Sequence, residues 1–413
     1  MSIKLTYKVV CLLLLSLIVF FPTYLFGDSA SQGQVFLFLL FPIFLFLTWG
    51  VKSALSKNYS LLFPFITYGL LAVFVLTFFS LLSKLSFISA SIAINHMRYL
   101  AYIFVFVLSF SLTLKMKGTV KDLEWVLYRV SFLAFLFILL QIFASDLFFV
   151  KIISQKPAID YLGFRIGGPF EWSYVFCFCM IPTIFMGMHQ YIRKEGTLFH
   201  YLITMLIVIT YMLSQSKAAY ISLVIFLFLW VVFSLITYKN NMKLFVAIIA
   251  STIVFGAVII IFWEMFSHIL GFIEKISEGT LDASTTTRLN QFSVASYTLD
   301  NNFFLGYPIK YLVIENAYVH YFYNYGVLGA VSYVALFLTF FLDACIRLKR
   351  VAKINYGKNV GLYIGMACFT GSIFIFALGA SPTDANKASY FFYFIYGAFI
   401  ASTSNRNIKD KTL

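Results

Sequence analysis

Continuous apolar runs of roughly twenty residues recur along the chain and are separated by short polar intervals. They lie near 9–26, 34–51, 60–82, 98–114, 126–144, 172–190, 200–215, 218–237, 244–263, 325–346, 360–380 and 388–403. A helix needs roughly 20 apolar residues to cross the hydrocarbon of a bilayer. None of these runs shows the period-two alternation of a strand barrel. The pattern predicts an all-α polytopic membrane protein with about twelve spanning helices. One polar interval breaks it, the 62 residues from Glu264 to Tyr325, which hold six of the sixteen acids. The chain therefore divides into 1–263 with nine spans, a large loop at 264–325, and 326–413 with three spans and a tail. A loop of that length between spans is expected to form structure and carry function.

Inside the loop, Ser284-Thr285-Thr286-Thr287 reads as a helix start. Leu289, Phe292, Ala295 (or Ser296) and Leu299 then recur at near-helical spacing, predicting an amphipathic helix that ends at Asp300-Asn301-Asn302. Arg288 falls in its first turn, the unfavourable end for a cation, so an anionic partner is expected there. A second helix is predicted from Glu315 into the tenth span. On it Asn316, His320 and Asn324 are four apart and form one polar stripe, with Tyr318, Tyr321 and Tyr325 on an adjacent face. A carboxylate, an imidazole and amides beside tyrosines suit a carbohydrate. A membrane-interface aromatic belt is the plainer alternative.

Composition excludes a water-soluble fold: 62% of residues are hydrophobic and 11% charged. The net charge of +14 does not point to nucleic acid, because of where it sits. With the N-terminus in the cytoplasm, 20 of the 30 Lys and Arg fall on the cytoplasmic side and 11 of the 16 acids on the other. This positive-inside bias puts both termini inside and the long loop outside. The first apolar run lacks a cleavage site and is expected to be a retained helix. The five cysteines sit in or at the ends of spans, so no disulfide framework is expected. Cys177 and Cys179 point to different faces of a helix and make a poor metal site.

Three further outward positions carry cations. Arg98, near His96, stands at the mouth of the fourth span, where it either snorkels or meets an anion. Arg165 precedes Gly167-Gly168-Pro169, a forced turn, and Glu171 follows it with the belt residue Trp172. Paired glycines let backbone approach a ligand, and amides opening a helix favour anions. Lys217 lies in the short turn Ser214-Gln215-Ser216-Lys217, on the side that topology disfavours for cations. Asp384 and Lys387, three apart in the last outward turn, are expected to pair with each other and are given no chemistry.

The Arg-x-Gly-Gly-Pro-x-Glu turn at 165–171, the Ser-x-Ser-Lys turn at 214–217, and the loop carrying Arg288 form an ordered set. The loop continues with Asp300-Asn-Asn-Phe-Phe-Leu-Gly306, Glu315-Asn316-Ala-Tyr318 and Tyr325-Gly326-Val-Leu-Gly329. In order and sidedness the set resembles the O-antigen polymerase and ligase families of bacterial inner-membrane proteins, over roughly 160–330. The resemblance implies a GT-C-like fold and a glycosyltransferase of the polymerase kind acting at the periplasmic face. Its donor and acceptor would be undecaprenyl-diphosphate-linked glycans, with a chain-length regulator and a flippase as further partners. Many ligases carry His immediately before the Asn that is Asn316 here, and Glu315 in that place favours a polymerase. Arg165, Lys217, Arg288 and Arg98 would gather on the leaving diphosphate. Gly168, Glu171, Asn316, Tyr318 and Tyr325 would line the substrate. Glu315 is the first choice and His320 the second for the acceptor's base. With no Asp-x-Asp cluster, neither metal nor other cofactor is expected. The alternatives are a ligase acting on lipid A-core, a lipid-linked oligosaccharide flippase, and an assembly protein whose loop binds partners. A flippase would carry charges deep in its spans and internally related halves.

Overall fold

The computed structural model describes residues 6–24, 69, 73, 75, 76, 78, 82, 98–160, 163–237, 267–280, 283–306, 314–355 and 360–404. The predicted spans at 34–51 and 244–263, and most of the one at 60–82, lie outside the described residues. The rest of the pattern is helical: α1 (Tyr7–Val19), α2 (Arg98–Lys115), α3 (Val120–Phe143), the short α4 (Phe148–Ile153), α5 (Ser173–Arg193), α6 (Leu198–Leu213) and α7 (Lys217–Thr237). After them come α8 (Ser267–Ser277), α9 (Ala283–Asn301), α10 (Ala317–Asn355), α11 (Gly361–Gly379) and α12 (Asn386–Ser404). Among the described residues the only strands form a two-residue antiparallel ladder, Ile159 opposite Phe164 and Asp160 opposite Gly163. Among the described residues five helices are long and apolar enough to cross a membrane: α2, α3, α5, α10 and α11. The protein is an all-α, membrane-embedded chain.

Its contacts fall into two compact units. The first contains 1–126, 284–340 and 377–413, and the second 127–283 and 341–376. In the first, α12 packs along α2. Its Tyr/Phe-rich sequence is buried on every face, from Lys387 to Thr403. Gly397 permits the approach, since a Cβ there would lie 2.5 Å from the Phe106 carbonyl oxygen. The Tyr396 hydroxyl donates to the Phe340 carbonyl at 2.7 Å. In the second unit, Pro182 inside α5 removes an amide donor from the helix. The backbone of Gly365 on α11 fits against it, where a Cβ would come within 2.5 Å of the Pro182 carbonyl. A buried polar chain ties α5 to α6, and α6 to α7. The Cys177 thiol lies 2.9 Å from the Ser214 hydroxyl, and the Tyr211 hydroxyl donates to the Ala219 carbonyl at 2.9 Å.

Within the long loop the helix expected after Ser284 forms as α9, but it presents another face. Leu289 and Phe292 are about half exposed at 50% and 49%, while Gln291 and Ala295 are buried. Ala295 packs on Ile314 and Val319, with Phe322 and Tyr323 alongside. The reason is geometric: residues 288, 291 and 295 share the side that faces the chain's return at Ile314, and this contact outweighs the apolar spacing. Helix α9 starts at Ala283, so Arg288 occupies its second turn rather than its first.

The second predicted helix starts at Ala317, not Glu315, and breaks at Gly326, whose φ is 67° and ψ −170°. That conformation is open to essentially no residue but glycine. The segment after α9 fills the break. The Val327 amide donates to the Phe303 carbonyl at 2.9 Å, and the Gly306 amide to Asn302 at 2.8 Å. A Cβ on Gly326 would lie 2.1 Å from the Phe304 carbonyl oxygen, and one on Gly306 2.5 Å from the Gly326 nitrogen. Gly326→Ala is therefore expected to undock the 302–306 segment, lowering stability by about 2–3 kcal/mol. Gly271, helical with no atom within 4 Å of its added Cβ, is the control, and Gly271→Ala should hold or raise the melting temperature. Thermal unfolding in detergent compares the two.

Candidate functional site

In the first unit the structure gathers residues that are far apart in sequence. Arg98 opens α2, and its Nη2 lies 3.1 Å from Asp384 Oδ1. Asp384 closes a single 3-10 turn, Pro382–Asp384, where the chain passes from α11 to α12. The Tyr321 hydroxyl donates to the same Oδ1 at 3.0 Å. Its one proton being used there, it accepts from the Tyr99 hydroxyl at 2.7 Å. Tyr99 in turn accepts from Arg98 Nη2 at 3.3 Å. The four side chains form a ring in which every proton points toward the carboxylate. Asp384 is thus the partner of Arg98, although sequence spacing pairs it with Lys387. Stacking fixes the ring from below, with Tyr321 on Tyr333 at a centroid distance of 4.3 Å. The space left among Tyr99, Tyr321, Tyr333 and Tyr393 is about 10 Å³, no more than one water needs.

The polar stripe on α10 continues from this ring. Asn324 Nδ2 lies 3.1 Å from His320 Nδ1. With the amide donating, Nδ1 accepts and the ring carries its proton on Nε2. Asn324 and Asn316 are buried, so the stripe faces protein rather than solvent. Asn316 caps α10. Its Oδ1 accepts from the Val319 amide at 3.1 Å, and its Nδ2 donates to the Leu378 carbonyl at 2.9 Å. Tyr325 is buried against Tyr321, and Tyr318 is half-buried beside Tyr333.

Just before the cap, Glu315 projects to α9. Arg288 Nη2 lies 3.0 Å from Glu315 Oε2, and Nε donates to the same oxygen at 3.2 Å. The Glu315 amide donates to Gln291 Oε1 at 3.2 Å. The anion that Arg288 was expected to require is therefore supplied by the chain. Arg288 is 27% exposed and Glu315 47%, so a ligand can reach both.

The second unit brings the two remaining motif turns together. Gln215, at φ 50°, donates through Nε2 to the Phe164 carbonyl at 2.7 Å. That bond sets the 214–217 turn beside the ladder leading into Arg165, whose amide donates to Ala158 at 2.9 Å. Arg165 is exposed, and Lys217 is half-buried at the first position of α7. Glu171 adopts φ 70°, so both turns hold a non-glycine residue in the left-handed region, a cost that tends to be kept where function needs it. The glycines serve packing. A Cβ on Gly167 would meet the Glu171 carbonyl oxygen at 2.0 Å, and one on Gly168 (φ 55°) the Ile138 side chain at 3.0 Å. Among the described residues no three His, Cys, Asp or Glu side chains gather as metal ligands.

Tyr99, Tyr321 and Asp384 were missed as site residues by sequence reasoning. The available signal was that Asp384 is the one acid between Asp343 and Asp410, predicted at the same membrane face as Arg98. Comparison with family models and with curated proteins gives no match.

The ring predicts strong coupling. Asp384→Asn and Arg98→Gln should each destabilise, and the double variant should lose less than their sum by about 1–3 kcal/mol. Tyr321→Phe, which removes one bond to a charged group, should cost about 1.5–3 kcal/mol. Melting temperatures of the four variants in detergent measure both, and additive losses would leave the ion pair without energetic weight.

Proposed function

We propose that the protein is an O-antigen polymerase, a glycosyltransferase that joins undecaprenyl-diphosphate-linked repeat units at the periplasmic face of a bacterial inner membrane, with a GT-C-like fold. The observation that carries the reading is the Arg288–Glu315 pair, in which a reachable guanidinium and a reachable carboxylate hold each other at the start of α10. A lipid-linked diphosphate offers Arg288 more negative charge than one carboxylate does, in bidentate geometry. Donor binding therefore releases Glu315. The freed carboxylate accepts the proton of the acceptor hydroxyl as that oxygen bonds to the donor's anomeric carbon. The bond from that carbon to the diphosphate breaks, and the leaving diphosphate stays on Arg288. His320 is the second candidate for the proton, and it can take it only at Nδ1 once the bond from Asn324 opens. Arg165 and Lys217 belong to the second unit, where the Gln215–Phe164 bond holds the 163–165 and 214–217 turns side by side, and they are the anion-binding candidates of that unit.

One observation favours a transporter instead. Asp343 and Arg347 pair at 2.7 Å on α10 and are nearly fully buried, a matched charge at the end of the tenth predicted span. Purified protein in liposomes with lipid-linked repeat units separates the readings. A polymerase lengthens the glycan, a flippase moves it across the bilayer unchanged, and a ligase lengthens nothing without lipid A-core.

In that assay Arg288→Ala and Arg165→Ala should abolish long chains while the protein still inserts. Glu315→Gln should lower turnover at least about 100-fold, and Glu278→Gln, in an exposed turn, should leave it unchanged. The exchanged pair Arg288→Glu with Glu315→Arg should recover stability without activity. Recovered polymerisation in the exchanged pair would make the ion pair a structural strut and remove Glu315 as the base.

A further inference from the structure

A second polar site lies in the second unit, where α3 reaches the end of its span. A cleft of about 330 Å³ opens there between Gln141 and the segment 145–157, with Lys151, Ser154 and Lys156 on its walls. At its base Gln141 is only 4% exposed. Its Nε2 donates to the Lys156 carbonyl and, at 3.3 Å, to the Ser154 hydroxyl. A carbonyl can only accept, so the amide's orientation is fixed and Oε1 is the other end. That Oε1 is buried and has no hydrogen-bond partner among the described residues. A buried acceptor left unmatched is costly, and only a donor brought by a ligand or solvent answers it.

The cations have a different order. Lys156 lines the cleft, and its Nζ sits 4.4 Å above the ring of the exposed Trp172. Lys151 Nζ is 2.9 Å from Asp146 Oδ1, and that contact holds the Asp146 carboxyl below its usual range. Asp146 is 96% exposed and uses one of the ammonium's three protons, so Lys151 keeps donors for an anion.

What borders the cleft decides the ligand. Leu136, Leu140 and Phe143 share one face of α3 and are exposed, Phe143 at 83%. Past Ser145 and Asp146, which line the cleft, apolar surface resumes at Leu147 and Phe148, the latter 73% exposed at the start of α4. In a membrane-embedded chain this face meets lipid tails, and the cleft sits where it reaches headgroup level.

We propose that this cleft is a binding site for one membrane lipid whose headgroup carries a phosphate next to a hydroxyl, with its acyl chain lying along Leu136, Leu140 and Phe143. The lysines take the phosphate, and Gln141 Oε1 accepts from the hydroxyl. The site does not depend on the glycosyl-transfer reading, and its failure would leave that reading untouched.

The test uses the full chain in detergent, with bound lipid counted by native mass spectrometry after exposure to defined lipids. Phosphatidylglycerol should be retained over phosphatidylcholine by about tenfold or more, and over phosphatidylmethanol, which has the phosphate without the hydroxyl, by about fivefold. Lys151→Gln and Lys156→Gln should each lower phosphatidylglycerol retention about fivefold. Asp146→Asn, which frees the Lys151 ammonium, should raise it, a gain that loss of folding could not produce. Equal retention of the three lipids would overturn the proposal, as would lysine variants that hold phosphatidylglycerol like the parent. Displacement of the lipid by millimolar inorganic phosphate would also overturn it, by making the cleft a site for the free anion.

Discussion

A guanidinium at the mouth of an apolar helix is stable only where its charge is matched, and in this protein Asp384 matches it. The pair joins residues 286 positions apart and draws in Tyr321 as a second donor to the same carboxylate oxygen, with Tyr99 donating to Tyr321 in turn. Because Asp384 stands at the turn into α12, the ion pair also fixes where that helix enters. Helix α12 is buried on every face, so an error of register there would bury the wrong side chains all along α2. Gly397 leaves no tolerance for such an error, since even a methyl group would strike the Phe106 carbonyl. Electrostatics sets the register and close packing enforces it.

The same division of labour runs through the motif residues. Gly306 and Gly326 hold backbone against backbone where α10 breaks, and Gly167 and Gly168 fold a turn onto its own carbonyl and onto Ile138. These residues shape the chain. Arg288, Glu315 and Arg165 are the ones left in reach of a ligand, together with the half-buried Lys217. A motif read as a string mixes the two kinds, because glycine that makes room for a ligand and glycine that makes room for its own backbone are spelled alike.

Much of the fold was legible for one reason: in lipid a backbone must close its hydrogen bonds within each segment, so an apolar run of sufficient length becomes a helix. The runs near 98–114, 126–144, 172–190 and 360–380 became α2, α3, α5 and α11 within a few residues. The helix at 283–301 was legible from its Ser/Thr start and its Asp-Asn-Asn end. Its buried face was not, because Leu289 and Phe292 follow helical spacing while the contact at Ile314 and Val319 selects Gln291 and Ala295. Local spacing says which positions share a face, and only a distant segment says which face is used. The kink at Gly326 was hidden for the same reason, being filled by residues some twenty positions earlier. Asp384 failed differently. Lys387 is near in sequence and Arg98 is not, yet two helix ends at one membrane level bring the distant pair into contact.

Both cations of the first unit's site, Arg98 and Arg288, stand against a carboxylate, and this bears on what a site at a membrane surface must reject. Anionic headgroups surround any such site at high local concentration. A bare guanidinium would hold them without discrimination, whereas one already paired yields only to a ligand that repays the lost pair. A single phosphodiester brings one negative charge and does little better than Glu315. A diphosphate brings more charge and a second set of oxygens to the fork of Arg288. In the proposed reaction the pair thus serves as a filter as well as a store for the base, since only the ligand that can open it also sets the carboxylate free. The more exposed of the two pairs, Arg288 with Glu315, is the one suited to that exchange, and Arg98 with Asp384, closed by two tyrosine hydroxyls, is the one suited to hold the helices still.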